Sequence, residues 1–172
     1  MKHLNIEIKA KCNDHGKIRS ILKSRNADFK GIKHQIDTYF KVNNGRLKLR
    51  EDNAENFLVF YEREDKAGPK QSDVILFKSD LDSSLKEILL KSLGVLVVVD
   101  KQREIYSLEN VKFHIDIVKN LGTFMEIEAI DSDGAFVKEK LLEQCQNYLN
   151  LFGILKSDLI SVSYSDLLLK KL

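Results

Sequence analysis

Apolar and polar residues alternate near the start of the chain, from residue 4 to residue 11. Leu4, Ile6, Ile8 and Ala10 are apolar, whereas charged side chains occupy most of the positions between them. A period of two residues is typical of a β-strand with one buried face. Similar patterns, bounded by turn residues, predict about eight strands in total. The other predicted strands are 33–42, 46–51, 57–63, 72–78, 95–106, 111–118 and 123–130.

Amphipathic helices are predicted between some of these strands. Asn13 or Asp14 can cap a first helix, whose apolar residues at 18, 21 and 22 follow the spacing of one helical face. A leucine stripe at 85–93 predicts a second helix that ends at Gly94. Two further helices are expected, one from a cap at Asp133 to Gly153 and one from a capping box at 163–166.

The turns between these elements indicate the fold class. Short turns such as Asn43-Asn44-Gly45 join neighbouring strands, which should therefore be antiparallel. So many antiparallel strands exclude a doubly wound parallel sheet and predict an α+β protein. Eight antiparallel strands can curl into a closed or nearly closed β-barrel with the amphipathic helices at its periphery. No boundary is visible, so we expect residues 1–172 to form a single domain.

Composition excludes several classes of function. The chain has 28 Lys and Arg against 26 Asp and Glu, and this balance gives no large basic field for duplex nucleic acid. Cys12 and Cys145 have no metal-ligand spacing, and two cysteines make no disulfide scaffold. The longest apolar run, 95–99, is too short to span a membrane, and the first residues lack the apolar stretch of a signal peptide. These features predict a cytoplasmic protein without a membrane partner.

The charged residues of the strands fall on one face of each strand, because they lie two positions apart. One interpretation is a sheet whose charged face meets water, as in most antiparallel sheets. The other is a channel lined by charge, which would need both signs and a ligand to complete the neutralisation. Alternation shows which residues share a face, but it does not show that the faces meet.

The distribution of acidic and basic residues among the strands gives a reason to consider the channel. Carboxylates at Glu7, Asp116, Glu126 and Glu128 provide hard oxygen ligands, which suit Mg²⁺ or Mn²⁺. Basic residues concentrate at 46–50, at Arg63 and at 101–103, and such groups suit a polyanion with several phosphoryl groups. A divalent metal with a triphosphate is the ligand that matches both sets.

A series of sequence blocks resembles the CYTH family, most closely its class IV adenylate cyclase branch. The blocks are NIEIKAK at 5–11, QIDTYFKVNNGRLKLRE at 35–51, VFYERED at 59–65, GPKQSD at 68–73, DKQREIY at 100–106, FHIDIVKNLGTFMEIEAI at 113–130 and ISVSYSDLL at 160–168. The resemblance implies an eight-stranded antiparallel barrel, the triphosphate tunnel, whose charged interior binds a nucleotide or another triphosphate with a divalent metal.

The resemblance also implies roles for individual residues. The family signature ExExK falls on Asn5, Glu7 and Lys9, so Glu7 resembles a metal ligand and Lys9 a catalytic or phosphate-contacting lysine. Asn5 departs from the pattern, because its amide oxygen can ligate a hard cation but brings no charge. The matching blocks imply phosphate-binding roles for Lys48, Arg50, Arg63, Lys101 and Arg103, and metal-binding roles for Asp116, Glu126 and Glu128.

Three functions remain open at this point. The blocks outside the signature favour an adenylate cyclase that converts ATP to cyclic AMP and pyrophosphate with Mg²⁺ or Mn²⁺. The alternatives are a triphosphatase acting on thiamine triphosphate, inorganic triphosphate or a nucleoside triphosphate, and a non-catalytic nucleotide or polyphosphate binding module. The resemblance to class IV cyclases also implies a homodimer, but no residue of the sequence decides the assembly.

Overall fold

The computed structural model describes residues 4–63, 70–131 and 134–172, and it leaves the side chains of Leu4, Arg63 and residues 70–73 undescribed. The predicted turn at 66–69 and the predicted helix cap Asp133 lie outside the described residues. The elements are β1 Leu4–Lys11, α1 His15–Ser24, β2 Asp28–Phe40, β3 Arg46–Glu51, β4 Asn56–Arg63, β5 Lys70–Ser79, α2 Leu85–Leu93, β6 Val95–Leu108, β7 Val111–Val118, β8 Gly122–Asp131, α3 Lys138–Phe152 and α4 Tyr164–Leu169, with a 3-10 turn at Lys156–Asp158.

The strands form a closed barrel in the order β1-β5-β4-β3-β2-β6-β7-β8. Every neighbouring pair is antiparallel. The β1–β5 pair closes the barrel, and its described residue pairs are Ile6 with Gln71 and Glu7 with Lys70. The predicted α+β class and the antiparallel barrel are therefore confirmed.

The main hydrophobic core lies between the outer face of the barrel and the helices. Apolar residues of β1, β7 and β8 pack there against α1 and α3, because alternate residues of these strands point away from the barrel axis. In this core, the largest fully buried side chains on these strands are Ile6, Ile8, Phe113, Ile115, Met125 and Ile127. A smaller core joins Leu89 of α2 to Phe40 and Leu49 of β2 and β3. With the apolar faces turned outward, the charged faces of these strands turn inward.

The C-terminal segment packs against apolar side chains inside one end of the barrel. Ile160 and Tyr164 contact a cluster that includes Val99, Val118 and Phe124. The backbone N–H of Ile160 donates to the carbonyl of Lys9 at 2.9 Å, which ties this segment to β1. The predicted capping box is present, since the hydroxyl of Ser163 accepts from the N–H of Asp166 while the Asp166 carboxylate accepts from the N–H of Ser163. The segment therefore covers one end of the barrel interior.

Some predicted boundaries differ from the structure. The strand predicted at 33–42 begins at Asp28 and ends at Phe40, because it continues past Gly31 to pair with β6. The third helix begins at Lys138, later than a cap at Asp133 would place it, and it ends at Gly153 as predicted. The cap at Asp14 is confirmed, since its side chain accepts from the N–H of Lys17. Across 4–63, 70–131 and 134–172, no helix has both the length and the apolar character needed to cross a membrane.

Candidate functional site

The barrel encloses a cavity of about 250 Å³ that is lined mainly by charged side chains. Its lining comes from all eight strands and from Ser163 and Tyr164 at the start of α4, because inward-facing residues of the strands converge on the axis. The charged lining residues are Glu7, Lys9, Asp37, Lys48, Arg50, Lys101, Arg103, Glu126 and Glu128, with His114 beside them. The charged faces therefore meet inside the barrel, and the interpretation as water-facing surfaces is wrong for these strands.

Asp37 is the centre of the cationic side of the cavity. It is 2% exposed and accepts hydrogen bonds from Lys48 at 2.9 Å and from Lys101 at 2.8 Å. Arg50 donates to both carboxylate oxygens, at 2.7 and 2.9 Å. We call these four residues the Asp37 cluster. It brings three cationic side chains to one carboxylate, so it carries a surplus of positive charge.

The pKa values in the Asp37 cluster follow from burial and from this surplus. Burial alone would raise the pKa of Asp37, but attraction to Arg50, Lys101 and Lys48 holds it well below 3.8. Burial lowers the pKa of Lys101 to about 8, and repulsion from Arg50 and Arg103 adds to this effect while Asp37 opposes it. Burial and Arg50 also lower the pKa of Lys48. An anion entering the cavity would relieve the repulsion between these cations.

Glu126 is the centre of a second ionic cluster, which we call the Glu126 cluster, with Lys9, Arg103 and His114. Lys9 Nζ lies 3.0 Å from one oxygen of Glu126. Arg103 donates to the other oxygen at 2.7 Å, and His114 Nδ1 lies 3.2 Å from that oxygen. Burial would raise the pKa of Glu126, but Arg103 and Lys9 hold it well below 4.5. The carboxylate therefore stays ionised between two cations.

Asp116 lies behind Arg103 and not on the cavity wall. Its exposed fraction is 0%. Arg103 donates to both of its oxygens, and Tyr164 donates to one of them at 2.8 Å. The prediction that Asp116 ligates a metal stays a prediction, and its contacts favour instead a role in orienting the Arg103 guanidinium.

Glu7 and Glu128 line another part of the cavity, with Asn5 beside them, and we call this part the carboxylate side. The Asn5 amide donates to Glu128 at 2.5 Å, and its own oxygen is buried with no hydrogen-bond partner among the described residues. Glu7 lies 3.9 Å from Lys9. Within the described part of the chain, no three His, Cys, Asp or Glu side chains are placed so that together they could hold a metal ion. A metal here would need oxygen ligands from water or substrate as well as from the protein.

The structure brings together most of the residues that the sequence singled out, namely Glu7, Lys9, Lys48, Arg50, Lys101, Arg103, Glu126 and Glu128. Arg63 ends β4, and its side chain lies outside the described residues. Asp37 belongs to the block QIDTYFKVNNGRLKLRE but was not among the predicted site residues, and it lies inside β2 opposite Arg50. The sequence could have indicated this position, because Asp37 lies two residues before Tyr39 and therefore on the same face of the strand. Tyr164 was expected only as part of a capping segment.

Tyr164 links the C-terminal segment to Lys9 of β1 and to Asp116 of β7. Lys9 Nζ lies 4.0 Å from the centre of its ring. We expect Tyr164→Phe to lower the free energy of unfolding by about 2 kcal/mol, because it removes a buried hydrogen bond to a carboxylate. Urea denaturation measures this loss.

Tyr106→Phe is the matched control, since the Tyr106 hydroxyl donates to Glu104 at 3.1 Å in a half-buried position. Water can replace that bond, so this control should lose less than about 1 kcal/mol. Equal losses in the two variants would show that the Tyr164 hydroxyl does not anchor the segment.

Comparisons with known proteins agree with this architecture. Residues 3–164 match the family model of the CYTH domain. A Methanocaldococcus jannaschii protein named "Putative adenylate cyclase MJ0240" is 30% identical over 178 residues, covering 95% of this chain and 98% of the relative. The PH1012 protein of Pyrococcus horikoshii OT3 superposes with a TM-score of 0.80 at 25% identity, covering 94% of this chain and 98% of that chain.

A more distant solved structure has the same fold. It is the Hippeastrum protein named "Putative adenylyl cyclase HpAC1", whose structure is described as revealing a dominant triphosphatase activity. It superposes with a TM-score of 0.63 at 14% identity, covering 97% of this chain and 95% of that chain. Because the family model spans most of the sequence and the relative at 30% identity spans nearly all of it, the chain belongs to the CYTH family.

Proposed function

We propose that the protein binds ATP with a divalent cation in the barrel and converts it to cyclic AMP and pyrophosphate. The observation that carries this proposal is the division of the cavity into a cationic side around Asp37 and a carboxylate side at Glu7 and Glu128. The first side suits a chain of phosphates and the second a hard cation. The name of the M. jannaschii relative supports the cyclase reaction over other reactions of triphosphates.

The donor atoms at the carboxylate side fit Mg²⁺ or Mn²⁺. Glu7, Glu126 and Glu128 provide carboxylate oxygens, and the buried Asn5 oxygen has no hydrogen-bond partner among the described residues. Mg²⁺ is commonly bound through one or two carboxylates together with water and substrate phosphates. When bound, the cation would stabilise charge on the phosphate oxygens. We propose Glu7 and Glu128 as its main protein ligands, with the Asn5 amide as a neutral one.

The cationic side chains would hold the phosphates and compensate their charge. Lys48, Arg50 and Lys101 are already directed at one point by Asp37, so little reorientation is needed when an anion arrives. Arg103 is oriented by Asp116 and Glu126, and its guanidinium lines the cavity between the two clusters. Arg63 stays a predicted phosphate-binding residue.

In the proposed reaction, the ribose 3′-oxygen attacks the α-phosphorus in line, a new P–O bond forms, and the bond to pyrophosphate breaks. The 3′-hydroxyl proton passes to water as the new bond forms, and the pyrophosphate leaves with the bonding electron pair. We propose Lys9 as the catalytic residue nearest to this step, because its buried ammonium lies between Glu126 and the cavity. There it compensates negative charge that develops on the transferred phosphorus.

A triphosphatase is the second candidate, because the Hippeastrum structure with a dominant triphosphatase activity shares this fold. In that reaction, water attacks the terminal phosphorus and orthophosphate leaves. The same cations would serve both reactions, so the difference lies in which phosphorus approaches Lys9. A binding module without turnover is the third candidate, and its support is the neutral Asn5 at a position where the family has a carboxylate.

Product analysis distinguishes the three. The purified protein is incubated with ATP and Mg²⁺ or Mn²⁺, and the products are separated by anion-exchange chromatography. We expect cyclic AMP and pyrophosphate in equal amounts. Orthophosphate in their place would establish a triphosphatase and overturn the cyclase proposal. ATP that is bound but unchanged in both metals would leave a binding module.

The lowered pKa of Lys101 predicts a pH dependence of triphosphate binding. Lys101 is cationic below a pKa of about 8 and neutral above it, and a bound polyanion favours the cationic form. Affinity for inorganic triphosphate should therefore fall by about tenfold between pH 7 and pH 9. Calorimetry at a series of pH values measures the change.

Lys101→Arg provides the control for this profile, because arginine keeps its charge over the whole range. The variant should bind with a shallower pH dependence, and a second change, Lys48→Arg, should flatten it further. A wild-type affinity that stays constant from pH 7 to pH 9 would contradict a titrating Lys101 in the phosphate site.

A further inference from the structure

One side of the cavity is apolar, in contrast to the ionic sides described above. The inward-facing residues of β4 and β5 that line it are Val59, Tyr61, Val74 and Leu76, which we call the apolar wall. They are adjacent across the β4–β5 ladder, where Val59 pairs with Leu76 and Tyr61 with Val74. These residues therefore form one continuous patch on the inner face of two strands.

Val59 and Tyr61 of the apolar wall are buried in the cluster that includes Val99 and Phe124, whereas Val74 and Leu76 lie outside it. Val74 and Leu76 are 52% and 60% exposed, although they face the inside of a barrel. Interior valines at the covered end, such as Val99 and Val118, are 1% and 2% exposed. Among the described residues, the β1–β5 ladder has its two residue pairs at Lys70 and Gln71, and Val74 and Leu76 lie further along β5. Val74 and Leu76 are thus available to a ligand inside the tunnel.

The apolar wall also adjoins the cations of the Asp37 cluster. Lys48 pairs with Val59 across the β3–β4 ladder, so their side chains are neighbours on the same inner face. Lys48 Nζ also lies 5.7 Å from the centre of the Tyr61 ring. A ligand whose phosphates contact Lys48 would therefore bring any group attached to them close to Val59 and Leu76.

We propose that the apolar wall is the subsite for the organic part of the substrate, and that it binds the flat face of a nucleoside base. The inference rests on the proposed function, because it takes the phosphates as bound by the Asp37 cluster. Ligand pockets commonly combine an apolar surface with a few charged groups that fix orientation. A base against Leu76 and Val59 removes apolar surface from water, whereas inorganic triphosphate has no group to place there. Leu76 and Val74 are then residues that determine substrate specificity.

The test compares the dissociation constants of ATP and inorganic triphosphate, each measured by calorimetry with Mg²⁺ at a temperature and time at which turnover is negligible. Leu76→Ser removes most of the apolar contact and should weaken ATP binding by about fivefold or more. It should leave the constant for inorganic triphosphate within about twofold, because the cations are unchanged. Val74→Thr keeps the shape of the side chain and should give a smaller loss in the same direction.

Ile75→Ser is the matched control. Ile75 is 68% exposed, lies between Val74 and Leu76 on the same strand, and pairs with Phe60 on the opposite face from the cavity. It should change neither constant. Far-UV circular dichroism of all variants checks that the strand is retained, and the Val74→Thr measurement stands if Leu76→Ser does not fold.

The outcomes separate this inference from the proposed function. Equal losses for the two ligands in Leu76→Ser, or no loss for either, would overturn the apolar wall as a base subsite and leave the triphosphate site intact. A similar loss of ATP affinity in Ile75→Ser would also overturn it. Wild-type protein that binds neither ligand would overturn the proposed function, and the subsite with it.

Discussion

Asp37→Asn should destabilise the protein by about 3–5 kcal/mol, the range expected when one partner of a buried ionic cluster is removed. The carboxylate accepts from Lys48, Arg50 and Lys101, and an amide cannot balance three cations. The 2% exposure of Asp37 means that water cannot replace it. Chemical denaturation measures the loss.

The pH dependence of this loss has a defined sign. The pKa of folded Asp37 is held below 3.8, so its contribution to stability is present above that pH and is lost as the pH falls through the folded value. The difference between wild type and variant should therefore be full near neutral pH and shrink in acid. A difference that grows on acidification would contradict an ionised Asp37 in the cluster.

Anion binding should partly restore the Asp37→Asn variant. If triphosphate occupies the cationic side, its charges replace the missing carboxylate, so the added anion should raise the melting temperature of the variant more than that of wild type. Asp100→Asn is the control, because Asp100 pairs with His34 at the surface and should cost less than about 1 kcal/mol. A variant that gains no more from triphosphate than wild type would separate the Asp37 cluster from phosphate binding.

The strands were predictable wherever one face is buried and the other charged. Residues 4–11 and 111–117 alternate between apolar and polar residues, because their apolar side chains pack mainly under α1 and α3 while the opposite face of each strand turns inward. The beginning of β2 was not predictable, since residues 28–31 are mostly exposed and carry no alternation. Pairing with β6 keeps that part extended, and this is a tertiary contact that local sequence does not encode.

The candidate site was predictable as a set of faces, but not as an arrangement in space. Alternation placed Lys48 and Arg50 on one face of their strand, and Glu126 and Glu128 on one face of theirs. It did not indicate which strands would face one another. Asp37 contacts the cations because of the β2–β3 register, in which Asp37 pairs with Arg50. The burial of Asp116 depends likewise on Arg103 and on Tyr164 from the far end of the chain. Long-range register decides these roles, and it is set by closure of the whole barrel.

In both ionic clusters, buried cations are paired with a carboxylate of the protein itself. Each cluster is built around one buried carboxylate, either Asp37 or Glu126. Arg103 donates to Glu126, and its charge also lowers the pKa of Lys101 in the Asp37 cluster. We propose that a phosphate chain bound in the tunnel would relieve the repulsion between these cations. Cations held in place in this way provide the preorganisation that electrostatic catalysis requires.

For the proposed reaction, Glu126→Gln should lower turnover by about a hundredfold or more, which is the scale of losing a preorganised charged group at a reacting centre. Glu126 holds Lys9 at 3.0 Å and Arg103 at 2.7 Å, and a neutral amide cannot fix both cations or offer a charged oxygen to a metal. The Asp37 cluster does not contact Glu126, so the loss should fall mainly on kcat. Steady-state kinetics with ATP and Mn²⁺ measure kcat and KM separately.

Glu104→Gln is the matched control for this change, because Glu104 carries a similar bidentate ion pair with Arg19 on the outside of the barrel. It should keep kcat within about twofold and lose less than about 1 kcal/mol of stability. Circular dichroism shows whether each variant is folded before its kinetics are compared. Full metal-dependent turnover by a folded Glu126→Gln protein would remove the Glu126 cluster from the mechanism, and Lys9 would then have to act without an anionic partner.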